Sequence, residues 1–524
     1  LVNTVSSLRE SRIDVMQRND RQSPEAEEGL TGVTAPGEFK RRSVRGGTAI
    51  VLGRGSAAVL QLGTTLVLAR LLSPTDYGLQ AMVLTLVNLC SLFQDAGLSS
   101  ATVQRPTVTN DQISTIFWIN VALGAFLTAA VASAGPLLVS FYKDPRLLWI
   151  TVASASVFFS NSLAIQHRSM LNRAMRYTAN AKIEITGAVV GSVVAIAMAA
   201  LGFGYWALIC QNITLSVVQT IAAWFAMRWV PGKPRWTAEI RSMLRYGGTV
   251  TLNGFVVYVS YNVEKILLGR YWGAAPLGLY GRAYQLSNLP VQQATDSFTA
   301  VAFPTLSRLQ GDPPRLVRAY LKAHSLVVSI TVPAVIACAL FANEIVRILL
   351  GTKWGGAVPI VRLLAPAMLV FALMNPMSWL LRATGLVERS LKLAVFIAPV
   401  MVLAVLAGLR YGPNGVAIGY STAMVLLFIP LIAWAKHGTG VSNRDYWDAI
   451  KRPLVASAIA GAAGWSAQYT LRNSLPAFPL FAVAISVMGA AYLGILLFAM
   501  GQRAEYTELL THLFARKSEA AAGS

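Results

Sequence analysis

Long apolar runs, broken at intervals, with Lys and Arg crowded into every second break, constrain this chain more than any other feature. From Gly46 onward about fourteen runs approach the roughly 20 residues with which an α-helix crosses a bilayer. The spacing predicts helices over 46–72, 77–97, 112–140, 146–167, 183–201, 205–227, 245–268, 276–305, 322–341, 357–381, 392–409, 413–435, 453–471 and 477–500. The basic breaks carry Arg168, Arg173, Arg176 and Lys182, then Arg228, Lys233, Arg235, Arg241 and Arg245. Arg308, Arg315, Arg318 and Lys322 follow, then Arg382, Arg389 and Lys392, then Lys436, Arg444, Lys451 and Arg452. The breaks between them hold only Lys143 and Arg146, Arg270, Arg347 and Lys353, Arg410, or Arg472. Cytoplasmic loops collect Lys and Arg. The alternation therefore predicts a multi-pass protein of the bacterial inner membrane with both termini in the cytoplasm.

Composition agrees. Charged residues make up 13% of the chain, against about 25% in soluble domains. Hydrophobic residues reach 55% and the mean hydropathy is +0.54. A net charge of +21 would point to nucleic acid in a soluble protein. Here the excess lies in the breaks, where it sets orientation and meets anionic membrane lipid, so no nucleic-acid partner is expected. Cys90, Cys210 and Cys338 fall in separate apolar runs and give no disulfide framework. His167, His324, His437 and His512 are far apart, near the basic breaks, and form no local zinc spacing. Neither a metal nor a cofactor is expected.

The polar, charge-mixed residues 1–45 read as a disordered cytoplasmic tail without a signal-peptide core. A first residue of Leu rather than Met hints at an alternative start, with Met16 a candidate. An internal repeat follows. Arg70, Gly78-Leu79 and Asn88 recur 200 residues on as Arg270, Gly278-Leu279 and Asn288, and Gly202 and Ala207 match Gly412 and Ala417. The expected fold is all-α and polytopic, with two six-helix pseudo-symmetric halves, 46–227 and 245–436. A cytoplasmic linker, 228–244, joins them; two extra helices, 437–500, and a tail, 501–524, complete the chain.

Few ionisable residues fall inside the spans: Arg54, Asp95, Glu264, Lys265, Arg282, Asp296 and Arg362. A charge at a helix centre costs about 2.5–3.5 kcal/mol on insertion scales, so a group of them requires partners or water. All but Arg362 lie in spans one, two, seven and eight, where neutral polar residues extend them at helical spacing. Span eight has Arg282, Gln285, Gln292 and Asp296; span seven has Asn253 and Glu264 beside Lys265. Span two has Gln80, Asn88, Ser91 and Asp95, and span one has Arg54, Gln61 and Thr65. Two readings stay open at this point. These residues line a hydrophilic path, or they pair off and join helices, as Arg54 with Asp95 and Lys265 with Glu264 would.

The residues Leu68-Ala69-Arg70-Leu71-Leu72-Ser73-Pro74 and Asp76-Tyr77-Gly78 resemble a known family. Asp95-Ala96-Gly97-Leu98, Gly202-Phe203-Gly204-Tyr205-Trp206, Gly278-Leu279-Tyr280 and Phe303-Pro304-Thr305-Leu306 extend the likeness across roughly the first twelve spans. The family is that of the Wzx-type oligosaccharide flippases, in the superfamily that also holds MATE drug exporters and MviN-like lipid II flippases. Glu264-Lys265 departs from its pattern of an Asp followed by a polar residue. The resemblance implies a transporter, not an enzyme, that moves undecaprenyl-diphosphate-linked repeat units to the outer leaflet by alternating access. The products would be exopolysaccharide, capsule or O-antigen, with polysaccharide polymerase machinery as a partner. It makes Arg54 and Arg282 expected diphosphate contacts, since a guanidinium binds phosphate oxygens bidentately. A MATE-like cation-coupled exporter is the alternative transporter, disfavoured by those two arginines. A membrane-integral polymerase or ligase would display catalytic residues on a sizeable outer loop, and no break is long enough. A scaffold without transport activity is the third alternative.

Overall fold

The structure, a computed structural model, describes residues 60–94, 102, 108–235, 258 and 262–500. Every regular element among them is helical. The chain forms two compact units, one ending at Gly278 and the other beginning at Leu279. The expected residues Arg54, Asp95 and Asn253, and most of the first and seventh spans, lie outside the described residues.

The first unit holds α1 (Leu60–Leu71), α2 (Pro74–Gln94), α3 (Asn110–Ser133), α4 (Gly135–Tyr142) and α5 (Leu147–Arg173). It continues with α6 (Tyr177–Ala200), α7 (Trp206–Met227) and α8 (Val263–Trp272), and with the first turn of α9 (Ala274–Arg308). The family-like run Ser73-Pro74-Thr75-Asp76 is the start of α2. Asp76 Oδ2 accepts from the Ser73 backbone N–H at 2.8 Å, while Ser73 Oγ accepts from the Asp76 N–H at 3.3 Å. Pro74 at the first helical position loses no bond that the helix would have made. Thr109 and Gln112 cap α3 reciprocally in the same manner. Gly202, at φ +84°, ends α6 by a left-handed turn, and its match Gly412 takes φ +67° at the start of a later helix. A side chain is strained in that region, which explains why glycine stands at both places.

The repeated glycines meet. A Cβ on Gly78 would lie 1.8 Å from the Ala274 carbonyl oxygen, and one on Gly278 would lie 1.9 Å from that of Pro74. Each glycine thus touches the residue four before the other, as a local two-fold between the starts of α2 and α9 requires. Small residues let membrane helices approach to backbone contact.

The second unit contains the rest of α9, then α10 (Pro313–Leu340), α11 (Ala342–Leu349), α12 (Ala357–Met374), α13 (Met377–Ala383), α14 (Val387–Leu409) and α15 (Gly412–Lys436). It closes with α16 (Asn443–Leu471) and α17 (Ala477–Gly494), the latter ending in a π turn at Ile495–Ala499. Asn375 and Pro376 divide one expected span into α12 and α13. Gly408 and Gly415 hold α14 against α15, each Cβ position lying 2.1 Å from the other's carbonyl oxygen. The two extra helices pack on α10 through Phe341, Ala456, Ala460, Ala484 and Met488.

Nine helical segments among the described residues are long and apolar enough to cross a membrane, and α1 and part of α14 are shorter apolar helices. Their outer faces expose large apolar groups, such as Phe126, Trp149 and Phe225 in the first unit and Leu426, Ile429 and Phe478 in the second. Such surfaces are stable only against lipid. The protein is a multi-pass helical membrane protein.

Candidate functional site

Three helices of the first unit turn polar stripes toward one another. On α5, Ser154, Asn161 and Arg168 follow at intervals of seven, two helical turns apart, and so share a face. Asn88, Ser91 and Gln94 come from α2, and Asn212, Ser216 and Gln219 from α7, each set at intervals of three or four. Together with Leu84, Val87, Phe158 and Leu215 they enclose a cavity of about 360 Å³. That volume lies within the roughly 300–1,000 Å³ of small-molecule sites. From Ser154 to Arg168 the lining extends about 21 Å along α5, at 1.5 Å per residue. Arg168 and Gln219 lie past the midpoints of their helices, toward breaks rich in Lys and Arg.

Hydrogen bonds fix the walls. Ser216 Oγ donates to Asn161 Oδ1 at 2.6 Å, and Gln94 Nε2 donates to the Phe158 carbonyl at 2.8 Å. Asn212 Nδ2 donates to its own helix at Leu208, 3.1 Å away. Arg168, the one cation among the described lining residues, donates through Nη2 to Glu184 Oε1 of α6 at 2.6 Å. Both partners are half-exposed, so the pair sits in a wet niche rather than a dry core. None of the described lining residues is acidic. A wall of amides and hydroxyls with a single guanidinium suits a hydrated, hydroxyl-rich ligand that carries an anionic group.

The other face of α5 is structural. Gln166 and Arg173 both bond to Thr102, at 3.2 and 2.9 Å. His167, fully buried, stacks on Trp224 with ring centres 4.5 Å apart and meets the Trp229 carbonyl through Nε2 at 3.1 Å.

The family described as polysaccharide biosynthesis protein matches residues 67–359, more than half of the 524. The chain belongs to that family. It is 25% identical over 407 residues to the lipopolysaccharide biosynthesis protein WzxC of Escherichia coli (strain K12), covering 76% of this chain and 81% of that one. To the succinoglycan biosynthesis transport protein ExoT of Rhizobium meliloti (strain 1021) it is 24% identical, over 60% of this chain and 64% of that one. Among solved structures, the lipid II flippase MurJ in an inward closed conformation superposes with a TM-score of 0.68 at 15% identity, over 88% of this chain and 99% of that one. At that identity the superposition speaks for the fold.

In this member of the polysaccharide biosynthesis family the expected path residues take different places. Asn88 lines the cavity, whereas Gln61 is exposed on α1. Glu264 is 1% exposed on α8, and both its carboxylate oxygens lack a hydrogen-bond partner among the described residues. Its neighbour Lys265 is half-buried and donates to Asn262 Oδ1 at 2.7 Å. In the second unit, Gln285, Gln292 and Asp296 lie on the exposed face of α9, with Arg282 half-buried and bonded to Gln285. The opposite face of α9 buries Leu277, Tyr280, Ala283, Ser287 and Val291, so the predicted stripe is a real face of the helix.

Sequence reasoning missed Asn161, Arg168, Asn212 and Gln219. Three are neutral, and only their helical spacing within spans four and six marks them. Arg168 was hidden by a boundary. Hydropathy ends the fourth span at 167, but the helix continues to Arg173 because Glu184 and Thr102 meet the charges that follow.

Proposed function

We propose that this protein is a flippase, not an enzyme, that carries undecaprenyl-diphosphate-linked oligosaccharide repeat units across the bacterial inner membrane by alternating access. The observation that carries the reading is the polar cavity with Arg168, enclosed by helices whose outer faces expose large apolar side chains. A diphosphate and a hydrated glycan cannot cross hydrocarbon unaided, whereas a polyprenyl tail can remain in the bilayer beside them. Asn88, Asn161, Asn212 and Gln219 would exchange hydrogen bonds with sugar hydroxyls. Arg168 would exchange Glu184 for a diphosphate oxygen, so that its charge is compensated with and without cargo. Arg54 and Arg282 stay as further proposed diphosphate contacts. The names of the relatives, biosynthesis and transport proteins for lipopolysaccharide and succinoglycan, support this cargo.

A strain lacking the protein should lose its surface polymer and accumulate lipid-linked repeat units in the cytoplasmic leaflet. Normal delivery of those units to the outer leaflet in that strain would refute the proposal. We also propose the orientation given by the basic breaks, with both termini cytoplasmic. Alkaline phosphatase fused after Ser73, Gly202 or Gly412 should then be active, and fused after Met175 or Pro234 inactive. The reverse pattern would overturn that topology.

A further inference from the structure

A second concavity of the first unit lies between α6 and α7, on a different face of α6 from Glu184. Gly187 and Gly191 bring the two helices together. A Cβ on Gly187 would lie 2.5 Å from Gln219 Cγ, and one on Gly191 would lie 3.0 Å from the Gln211 carbonyl. On the side of that contact nearer the basic break, the helices leave an open groove of about 690 Å³. Its walls are apolar: Ile221 is 51% accessible and Phe225 75%, Val218 beside them is half-buried, and Ile183 is buried in the lining. Its mouth is cationic. Arg176, just before α6, spans it by donating to the Ala226 carbonyl at the end of α7, 3.3 Å away, and Lys182 stands exposed at the rim. None of the described lining residues is acidic.

We infer that this groove binds an anionic diacyl phospholipid from the leaflet at its basic end. The phosphate rests on Arg176 and Lys182, and an acyl chain lies between Ile183, Ile221 and Phe225. Charge and length both favour this occupant. Basic pockets between membrane helices on the cytoplasmic side receive anionic head groups. The lining residues run from Arg176 to Thr186 and from Val218 to Ala226, about 15 and 12 Å at 1.5 Å per residue. That is about half of a ~30 Å hydrocarbon core, the depth of one leaflet. A polyprenyl chain would overrun it. The inference requires only that the chain spans a membrane and does not depend on its cargo.

The test is native mass spectrometry of the purified full-length protein in a zwitterionic detergent. Phosphatidylglycerol, phosphatidylcholine of the same chains, undecaprenyl phosphate and inorganic phosphate are titrated in turn. Phosphatidylglycerol should be retained roughly tenfold more strongly than phosphatidylcholine, given two cations at the surface. The preference should disappear in the double variant R176Q/K182Q. Lys182 is exposed, so K182Q alone should fold normally and lose several-fold, while Arg176→Lys should keep most of the preference. Equal retention of both phospholipids would mean an ordinary annular contact and overturn the proposal. Equal protection by inorganic phosphate would reduce it to a free-anion site. Tighter binding of undecaprenyl phosphate, or a preference that survives R176Q/K182Q, would overturn it as well.

Discussion

In the unit that ends at Gly278, polar side chains of α2, α5 and α7 surround open space; in the unit that begins at Leu279, several buried polar side chains close onto backbone or onto one another. Tyr446 and Tyr492, both buried, donate to the carbonyls of Leu373 and Ser329 at 3.0 and 2.7 Å. Ser421 donates to Leu363 at 2.5 Å, and Trp379 donates through Nε1 to Thr299 at 2.7 Å. Tyr320 and His324 lie buried beside Tyr446, with hydroxyl and ring nitrogen 3.3 Å apart. Burial of a polar group is costly unless a hydrogen bond compensates it, and these groups find theirs inside the packing. Asn88 and Arg168 border a cavity as well, Arg168 beside its partner Glu184. A polar residue in a membrane helix is therefore not by itself a path. What distinguishes path from joint is whether, beside any partner, the facing helices leave a void.

The largest effect is expected at Arg168. Arg168→Ala should reduce polymer export about a hundredfold or more while the protein still reaches the membrane, because Arg168 is the cation among the described lining residues. Arg168→Lys, which keeps the charge but loses the planar fork, should retain partial export. Leaflet-resolved measurement of lipid-linked oligosaccharide, with protein level as control, decides this. Normal export by Arg168→Ala would erase the contrast between the two units.

The second unit should respond in stability rather than transport. Tyr446→Phe and Tyr492→Phe each remove one buried hydroxyl together with its bond, at a cost of about 0.5–1.5 kcal/mol. For a unit of this size about 1 kcal/mol corresponds to roughly 2–4 °C in Tm. Thermal unfolding in detergent should show that fall, while export stays within about twofold. Loss of export without loss of stability would place these tyrosines on the path.

The smallest effect lies at the edge of the first unit, in the turn between α4 and α5, where a polar pair meets solvent rather than cavity or core. Arg146 donates through Nη2 to Asp144 at 2.7 Å, and its side-chain hydrogen bond holds the Asp144 carboxyl below the usual carboxylate range. A lowered pKa gives stability that is present above the unfolded carboxylate value, about 3.9, and is lost as pH falls through the folded one. An exposed pair contributes at most about 1 kcal/mol. Asp144→Asn should therefore lower Tm slightly at pH 7, and the difference from wild type should vanish in strong acid. A larger gap in acid than at pH 7 would contradict the sign.

The solvent of this chain, the order of its helices and the grammar of their ends follow from local features of the sequence. Apolar run length reports on lipid because a spanning helix has to satisfy its own backbone, which is a local requirement. Ser73-Pro74-Thr75-Asp76 starts α2 and Gly202 ends α6 for equally local reasons. The recurrence of Gly78 as Gly278 was legible too, although only the structure gives its cause, a mutual backbone contact that no Cβ would allow. The polar stripe of α9 was legible as a periodicity, since i, i+3 and i+7 share a face on any helix. The cavity was not. Whether Asn161, Asn212 and Gln219 meet void or partner depends on which helices pack together and at what separation, a relation between residues far apart in the chain. Arg168 shows this most clearly. As a charge at the end of an apolar run it reads as loop, and only the tertiary structure, by bringing Glu184 within 2.6 Å, keeps it in the helix and beside the cavity.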